Sequence, residues 1–171
     1  MRSQHSIISA TVVAVTIICT GCTGTFPTQT GFDASQYVGT YAGTWTNTAT
    51  GASGDAQIDI TIEETTKTAT LSIDFGGNYL GLGDPPAADL TGTYDDTGAY
   101  VSGQSTLFGR YDVMIGADGT IVGLMRDVGG GTIPALVYTG TLTPERLDAD
   151  YEVVFADGSE ANSTLRLTRV P

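Results

Sequence analysis

Acidic side chains stand at two short spacings that could support hydrolysis. Asp95 is followed by Asp96, and Asp148 is followed at alternate positions by Asp150 and Glu152. Two carboxyl groups that flank a glycosidic bond can act as acid and base in glycoside hydrolysis. Aspartate is also common in tight turns, where its side chain accepts backbone hydrogen bonds. Because both groups adjoin predicted turns, the turn interpretation is favoured. A carboxylate-based hydrolase is kept as a remote alternative, and we predict no catalytic residue.

Histidine and cysteine, the other common catalytic residues, occur only near the start of the chain. His5, Cys19 and Cys22 lie in residues 1–22, which read MRSQHSIISATVVAVTIICTGC. A basic residue, an apolar run and then small residues are typical of a bacterial export signal. The apolar run is shorter than the roughly 20 residues of a membrane-spanning helix. Once residues 1–21 are removed, no histidine remains, so Ser-His and Cys-His mechanisms are excluded. We predict no metal and no cofactor, because the usual zinc, copper and haem ligands are missing.

The stretch CTGC at residues 19–22 resembles the lipobox of bacterial lipoproteins. The resemblance implies cleavage before Cys22 and attachment of lipid to its sulfur, which would anchor an exported protein to a membrane of the cell envelope. Thr23 follows the cysteine where an aspartate would imply a different destination, so the resemblance implies the outer membrane if the cell is Gram-negative. The alternative is a simple secretory signal, with Cys22 as a spare thiol.

The charge balance excludes one class of partner. The chain has 7 basic and 19 acidic residues, a formal net charge of −12. A polyanion such as nucleic acid would be repelled by such a surface. A well-solvated surface, or adaptation to a salty medium, is favoured over recognition of a cationic partner.

The rest of the chain reads as an all-β protein. Residues 22–36 are rich in Thr, Gly and Pro and predict a flexible tether, and residues 37–171 form one predicted domain. In residues 58–63, Ile58, Ile60 and Ile62 alternate with polar residues, as in a strand with one buried face. Such strands joined by short turns favour an antiparallel up-and-down meander β-barrel of about 8–10 strands. The predicted strands are 37–46, 55–64, 67–75, 89–95, 99–107, 110–116, 120–126, 134–142, 148–156 and 161–170.

The order of the connections predicts a barrel with two unlike ends. In a meander, successive connections alternate between the ends, which places the long loops at one mouth and the tight turns at the other. The tether and the C-terminal strand end fall at the tightly turned end, so an anchored barrel would hold its mouth away from the membrane. The assignment depends on residues 108–111 being a hairpin turn; a bend within one strand would reverse the later connections.

The first predicted strand carries the single tryptophan, in the sequence GTYAGTWTN at residues 39–47. Gly43, Thr44 and Trp45 resemble the G-x-W of lipocalins, and with Asn47 they are similar to the first strand of avidin-like proteins. GADGTIVG and LTGTY resemble avidin hairpins, so the chain as a whole resembles a calycin-like barrel. In avidin-like proteins an asparagine at the place of Asn47 contacts the ligand, but this chain lacks the further tryptophans of the biotin pocket. Trp45 is interpreted either as a core plug or as a ligand contact.

The long loop GGNYLGLGDPPAAD at residues 76–89 places Tyr79, Leu80 and Leu82 between glycines. Long loops in compact domains are often functional. The loop is interpreted either as a lid or docking loop, or as a cap that folds back on the barrel. We predict a non-enzymatic, lipid-anchored envelope protein that binds a small apolar or amphipathic ligand through Trp45, Asn47, Tyr79 and Leu82. The alternative is a solid barrel, of inhibitor type, that contacts another envelope protein through its mouth loops.

Overall fold

A computed structural model describes residues 31–171 of the 171-residue chain. The predicted export signal, Cys22 and residues 22–30 of the predicted tether lie outside the described residues. Within residues 31–171, no helix is both long and apolar enough to span a membrane.

Ten antiparallel strands form a closed barrel in which each strand pairs with its neighbours in sequence and β1 pairs with β10. The predicted all-β meander barrel is confirmed. The strands are β1 (Gly39–Asn47), β2 (Ser53–Glu63), β3 (Thr68–Phe75), β4 (Ala88–Asp95), β5 (Gly98–Ser105), β6 (Gly109–Gly116), β7 (Thr120–Asp127), β8 (Ile133–Leu142), β9 (Arg146–Val154) and β10 (Glu160–Arg169). Short helical turns cover Ala34–Tyr37, Tyr79–Gly81 and Val128–Gly131.

Alternating apolar residues produce the barrel because one face of every strand is turned inward. In β2, Ile58 and Ile60 are buried, whereas Asp59 between them and Thr61 after them face outward. Inward apolar side chains from all ten strands form one continuous core. The closed order also leaves no unpaired edge strand, the feature by which barrels avoid pairing with other chains.

The segment at residues 106–108 connects two separate strands, β5 and β6, in a hairpin. The predicted sorting of the connections therefore holds. Residues 48–52, 76–87, 106–108, 128–132 and 155–159 connect the strands at one end, which we call the loop-rich end. The connections at residues 64–67, 96–97, 117–119 and 143–145 form the tight-turn end.

Residues 31–38 lie across the tight-turn end. Asp33 caps the turn Ala34–Tyr37 by accepting a hydrogen bond from the Ser35 amide at 3.1 Å. The rings of Phe32 and Tyr37 stack with their centroids 5.3 Å apart, and the Phe32 amide donates to the carbonyl of Asp96 at 2.7 Å. The described part of the predicted tether is thus packed on the barrel.

Candidate ligand-binding site

The interior of the barrel contains a cavity of about 90 Å³. Side chains from β2 to β10 line it, together with Tyr79 and Phe108 from the loop-rich end. Its walls are aliphatic and aromatic, and every lining side chain is uncharged. A cavity of this kind accepts an apolar molecule, because little water has to be stripped from polar groups.

Tyr79 closes the cavity at the loop-rich end. Its side chain folds inward from the long loop and is 3% exposed. The ring stacks on Phe75 with centroids 3.9 Å apart and meets the edge of Trp45 at 5.4 Å. Of the two interpretations of this loop, the structure shows the cap for Tyr79, while Leu80 and Leu82 are half-buried against the core.

Trp45 is buried beside this cap and is not among the residues that line the cavity. Its Nε1 donates a hydrogen bond to the carbonyl of Gly76, the first residue of the long loop, at 2.9 Å. Opposite Trp45 in the sheet stands Gly54. A Cβ atom on Gly54 would lie 2.6 Å from the indole Nε1, so the glycine leaves the space that the ring occupies.

Asn47 and Leu82, the other two predicted contacts, also lie outside the cavity. The Asn47 Oδ1 accepts hydrogen bonds from the amides of Ala49 and Thr50, both at 3.0 Å, and so shapes the first loop. Leu82 packs on Gly129, where an added Cβ would lie 2.5 Å from one of its methyl groups. Of the four predicted residues, the structure brings Trp45 and Tyr79 together, and only Tyr79 lines the cavity.

Sequence reasoning missed a line of polar side chains across one wall of the interior. Tyr138 pairs with Tyr151, Tyr151 with Ser163 and Ser163 with Asn47 in the register of β8, β9, β10 and β1. We call these four residues the polar row. Directly opposite residues on one face have Cβ atoms about 4.5–5.5 Å apart, so the four side chains are neighbours.

Two hydroxyl groups of the polar row are buried without a partner. Tyr151 Oη and Ser163 Oγ make no hydrogen bond, although the residues are 6% and 1% exposed. The hydroxyl groups of Tyr79 and Ser163 are near enough to Tyr151 to affect its pKa, but neither meets it in hydrogen-bonding geometry. Burial raises the pKa of Tyr151 to about 12 and also raises the pKa of Tyr79 and Tyr138. The tyrosines of this site are therefore neutral.

The acidic residues considered for hydrolysis lie on turns and on the outer wall. Asp95 accepts the amide of Thr97 at 2.7 Å, as expected of a turn residue. Asp148 pairs with Arg146, and Asp150 pairs with Arg166 at 2.5 Å. Among residues 31–171, no group of three or more His, Cys, Asp and Glu side chains is arranged to hold a metal ion.

Comparison with known proteins shows the fold and no family. No family model matches the sequence, and no curated protein matches it significantly. A protein of unknown function from the DUF3598 family of Nostoc punctiforme is similar in structure, with a TM-score of 0.58 and 12% identity over 85% of this chain and 53% of that one. The chain thus spans about half the length of that protein. An S-type phycobiliprotein lyase from Guillardia theta has a TM-score of 0.47 and 12% identity over 80% of this chain and 89% of that one. At 12% identity, the DUF3598 match shows a shared fold, the closed antiparallel barrel.

Proposed function

We propose that this protein is a non-enzymatic binder of a small apolar or amphipathic molecule, which it holds inside the barrel beneath the loop-rich end. The observation that carries this proposal is the uncharged cavity next to two buried hydroxyl groups that have no partner. Buried polar groups in folded proteins are nearly always hydrogen-bonded. Two adjacent exceptions in the wall of an apolar interior are the arrangement expected where a ligand supplies the missing bond.

The size of the cavity sets a condition on binding. At about 90 Å³, it is smaller than the roughly 150 Å³ of a protein cavity that admits benzene. A larger molecule therefore has to displace a side chain, and Tyr79 is the one that reaches the cavity from a loop. Removing its ring would open the interior toward the loop-rich end and enlarge the space by the volume of the ring.

The hydrogen bonds of the long loop support a movement of the loop as one unit. The backbone amides of Tyr79, Gly81 and Leu82 donate within residues 77–83, and those of Gly77 and Gly83 donate to Asp84 Oδ1 and Asn78 Oδ1 of the same loop. These bonds survive if the loop swings outward as a body. At its start, by contrast, Gly76 is tied to the barrel by Trp45 and by the carbonyl of Asp55 at 2.9 Å.

Trp45 offers the direct test, since it is the single tryptophan and contacts Tyr79. We expect emission from Trp45 to be blue-shifted in the free protein and to change saturably on titration with small apolar molecules such as toluene and cyclohexane. Displacement of Tyr79 would place the indole in a new environment. An emission spectrum that stays unchanged with every probe would contradict the proposal, provided that calorimetry also detects no binding.

A pair of alanine variants separates binding in the cavity from binding elsewhere. Ala149→Leu places a larger side chain in the cavity wall, whereas Ala135→Leu adds the same atoms on the outward side of β8. We expect Ala149→Leu to weaken binding of toluene by about tenfold or more and Ala135→Leu to leave it unchanged. Thermal unfolding of both variants should be measured as the control that the barrel is intact. Equal affinities for the two variants would place the binding outside the cavity.

A solid barrel that acts on another envelope protein is the second candidate, and the small size of the cavity favours it. In that case Tyr79 would be a fixed core residue beneath a rigid loop surface that includes Leu82. The same titration distinguishes the two candidates: a blue-shifted Trp45 that responds to no small molecule supports the solid barrel.

We also propose that Cys22 carries lipid and holds the exported protein on the cell envelope, at the outer membrane if the cell is Gram-negative. The order of residues in 1–22 supports the export signal, and residues 31–38 lie at the tight-turn end, so the loop-rich end would face away from the membrane. Radiolabelled palmitate should be incorporated into the wild type and not into Cys22→Ser, which should leave the membrane fraction. Equal labelling of the two would overturn the anchor.

A further inference from the structure

The polar row can form directional hydrogen bonds with a ligand, which the aliphatic part of the cavity wall cannot. Tyr151 lines the cavity. Ser163 does not line it but is the direct partner of Tyr151 in the sheet, and both hydroxyl groups are buried without a partner. Asn47 is less available, because its Oδ1 already accepts two backbone amides. A ligand in the cavity could therefore form hydrogen bonds with one or two adjacent hydroxyl groups. Each can donate to, or accept from, a ligand atom.

The lack of charged side chains around the cavity disfavours an ionised ligand. Every side chain that lines the cavity is uncharged, and moving an unpaired carboxylate or ammonium group into such surroundings carries a large desolvation cost. The loops of the loop-rich end carry Asp84 and Asp157. The two arginines nearest to this end, Arg110 and Arg126, are exposed on the outer wall, where Arg110 pairs with Asp127 at 2.9 Å. An ion pair with arginine is also absent from the described interior, since none of the arginines in residues 31–171 lines the cavity.

We infer that the ligand is a neutral molecule with an apolar body and one uncharged hydrogen-bonding group, such as an alcohol, a ketone or an ester, which bonds to Tyr151 Oη and Ser163 Oγ. This inference rests on the proposed function and narrows it from apolar or amphipathic ligands to neutral ones. The raised pKa of Tyr151 agrees with it, since the same surroundings that keep the phenol neutral would oppose a carboxylate.

The test compares molecules of equal chain length that differ in the head group: 1-decanol and 2-decanone against decanoate and decylammonium, with toluene as the purely apolar probe. Binding to the purified protein is followed by Trp45 emission and calorimetry near neutral pH. We expect the two neutral amphiphiles to bind at least about tenfold more tightly than either ion. Tighter binding of decanoate than of decanol would overturn the inference.

Two variants locate the bond. Tyr151→Phe and Ser163→Ala should each weaken binding of decanol by about five- to tenfold, the effect of one lost hydrogen bond, and leave binding of toluene unchanged. Tyr111→Phe is the matched control, because Tyr111 also faces inward but neither lines the cavity nor belongs to the polar row. Unchanged affinity for decanol in both variants would overturn the inference.

Stability of the free protein provides a second readout. A hydroxyl group with a structural hydrogen bond stabilises the fold, so its removal lowers the melting temperature. A buried hydroxyl group without a partner does not stabilise the fold. The variants Tyr151→Phe and Ser163→Ala should therefore have melting temperatures equal to or above that of the wild type. A lower melting temperature for both variants would make the hydroxyl groups structural and overturn the inference. If toluene also fails to bind to the wild type, the proposed function itself fails, an outcome that differs from equal binding of neutral and charged amphiphiles.

Discussion

The two ends of the barrel are closed by different kinds of interaction. At the tight-turn end, Arg169 donates to the carbonyls of Gln36 and Pro144, both at 3.3 Å, and to that of Val38. Tyr41 adds its hydroxyl, which donates to the carbonyl of Thr143 at 3.3 Å. The loop-rich end is closed mainly by aromatic packing around Tyr79, and the backbone bonds of residues 77–83 stay within the long loop. Hydrogen bonds between separate segments also occur at this end, from the Gly76 amide to the Asp55 carbonyl at 2.9 Å and from the Gly129 amide to the Leu107 carbonyl at 2.7 Å, but they do not involve residues 77–83.

The difference teaches which end can open. Directional hydrogen bonds between separate segments are lost as soon as the segments part, so the tight-turn end resists opening. Aromatic contacts are less strict about geometry, and a loop that keeps its own hydrogen bonds gives up few of them when it moves. We therefore expect a ligand to reach the cavity from the loop-rich end.

Truncation of one buried tyrosine at each end should show the largest contrast. Tyr41 is fully buried, so Tyr41→Ala should lower the free energy of unfolding by about 3–5 kcal/mol in a urea titration. Tyr79→Ala should cost less because the hydrogen bonds of the long loop lie within residues 77–83 and do not depend on the ring. Only Tyr79→Ala should increase quenching of Trp45 by acrylamide. Equal losses of stability and equal quenching would remove the distinction between the ends.

Alkaline pH should lower the stability of the barrel through the ionisation of Tyr151. The pKa of Tyr151 rises from 10.0 to about 12 through burial. In the unfolded chain this tyrosine loses its proton first, so its contribution is complete below pH 10 and is lost as the pH rises toward 12. The loss amounts to about 2–3 kcal/mol, and thermal unfolding at increasing pH measures it. Tyr151→Phe should flatten this dependence, and an unchanged slope would contradict the assignment.

Arg169→Gln should loosen the tight-turn end alone. We expect a loss of about 1 kcal/mol, because the guanidinium group is exposed and its bonds compete with water. Limited proteolysis should cut residues 31–38 faster, while binding of toluene stays the same. Arg166→Gln is the matched control, since it removes an arginine of the outer wall. Equal proteolysis of the two variants would show that Arg169 does not hold the segment.

Asp150→Asn should have the smallest effect. Its ion pair with Arg166 is exposed, and such pairs contribute about 0–1 kcal/mol. Urea titration at low and high salt should show the wild type and the variant converging as salt rises. Ligand binding should not change. Loss of a measured glycosidase activity in Asp148→Asn and Asp150→Asn would instead restore the hydrolase alternative.

The fold was predictable from the sequence because each connection of a meander is local. All ten strands lie within two residues of their predicted bounds, since alternating residues such as Ile58 and Ile60 and turn residues such as Gly119 act within a few positions of each other. Whether the Tyr79 ring is buried or exposed was not predictable. A loop has no periodic pattern of burial, and a ring between glycines can point either into the barrel or into solvent.

The polar row was predictable only in part. The turn at residues 143–145 fixes the pairing of Leu142 with Leu147, and counting outward from it brings Tyr138 opposite Tyr151. The same count from the next turn adds Ser163. Asn47 joins the row through the pairing of β1 with β10, which no turn specifies. The absence of partners for the two hydroxyl groups depends on side-chain packing, so it cannot be predicted from the spacing of residues in the sequence.

The pairing of β1 with β10 also bears on how the chain folds. Tyr41 stands opposite Arg169, whereas every other pairing in the barrel joins strands that follow each other. Closing so long a stretch of chain has an entropic cost that short hairpins avoid, so we expect this seam to form last and to limit the folding rate. A circular permutant could join residues 38 and 170 through a short linker and open the chain at residues 117–119. In this permutant β1 and β10 would pair as a hairpin, and the slow pairing of distant segments would be that of β6 with β7.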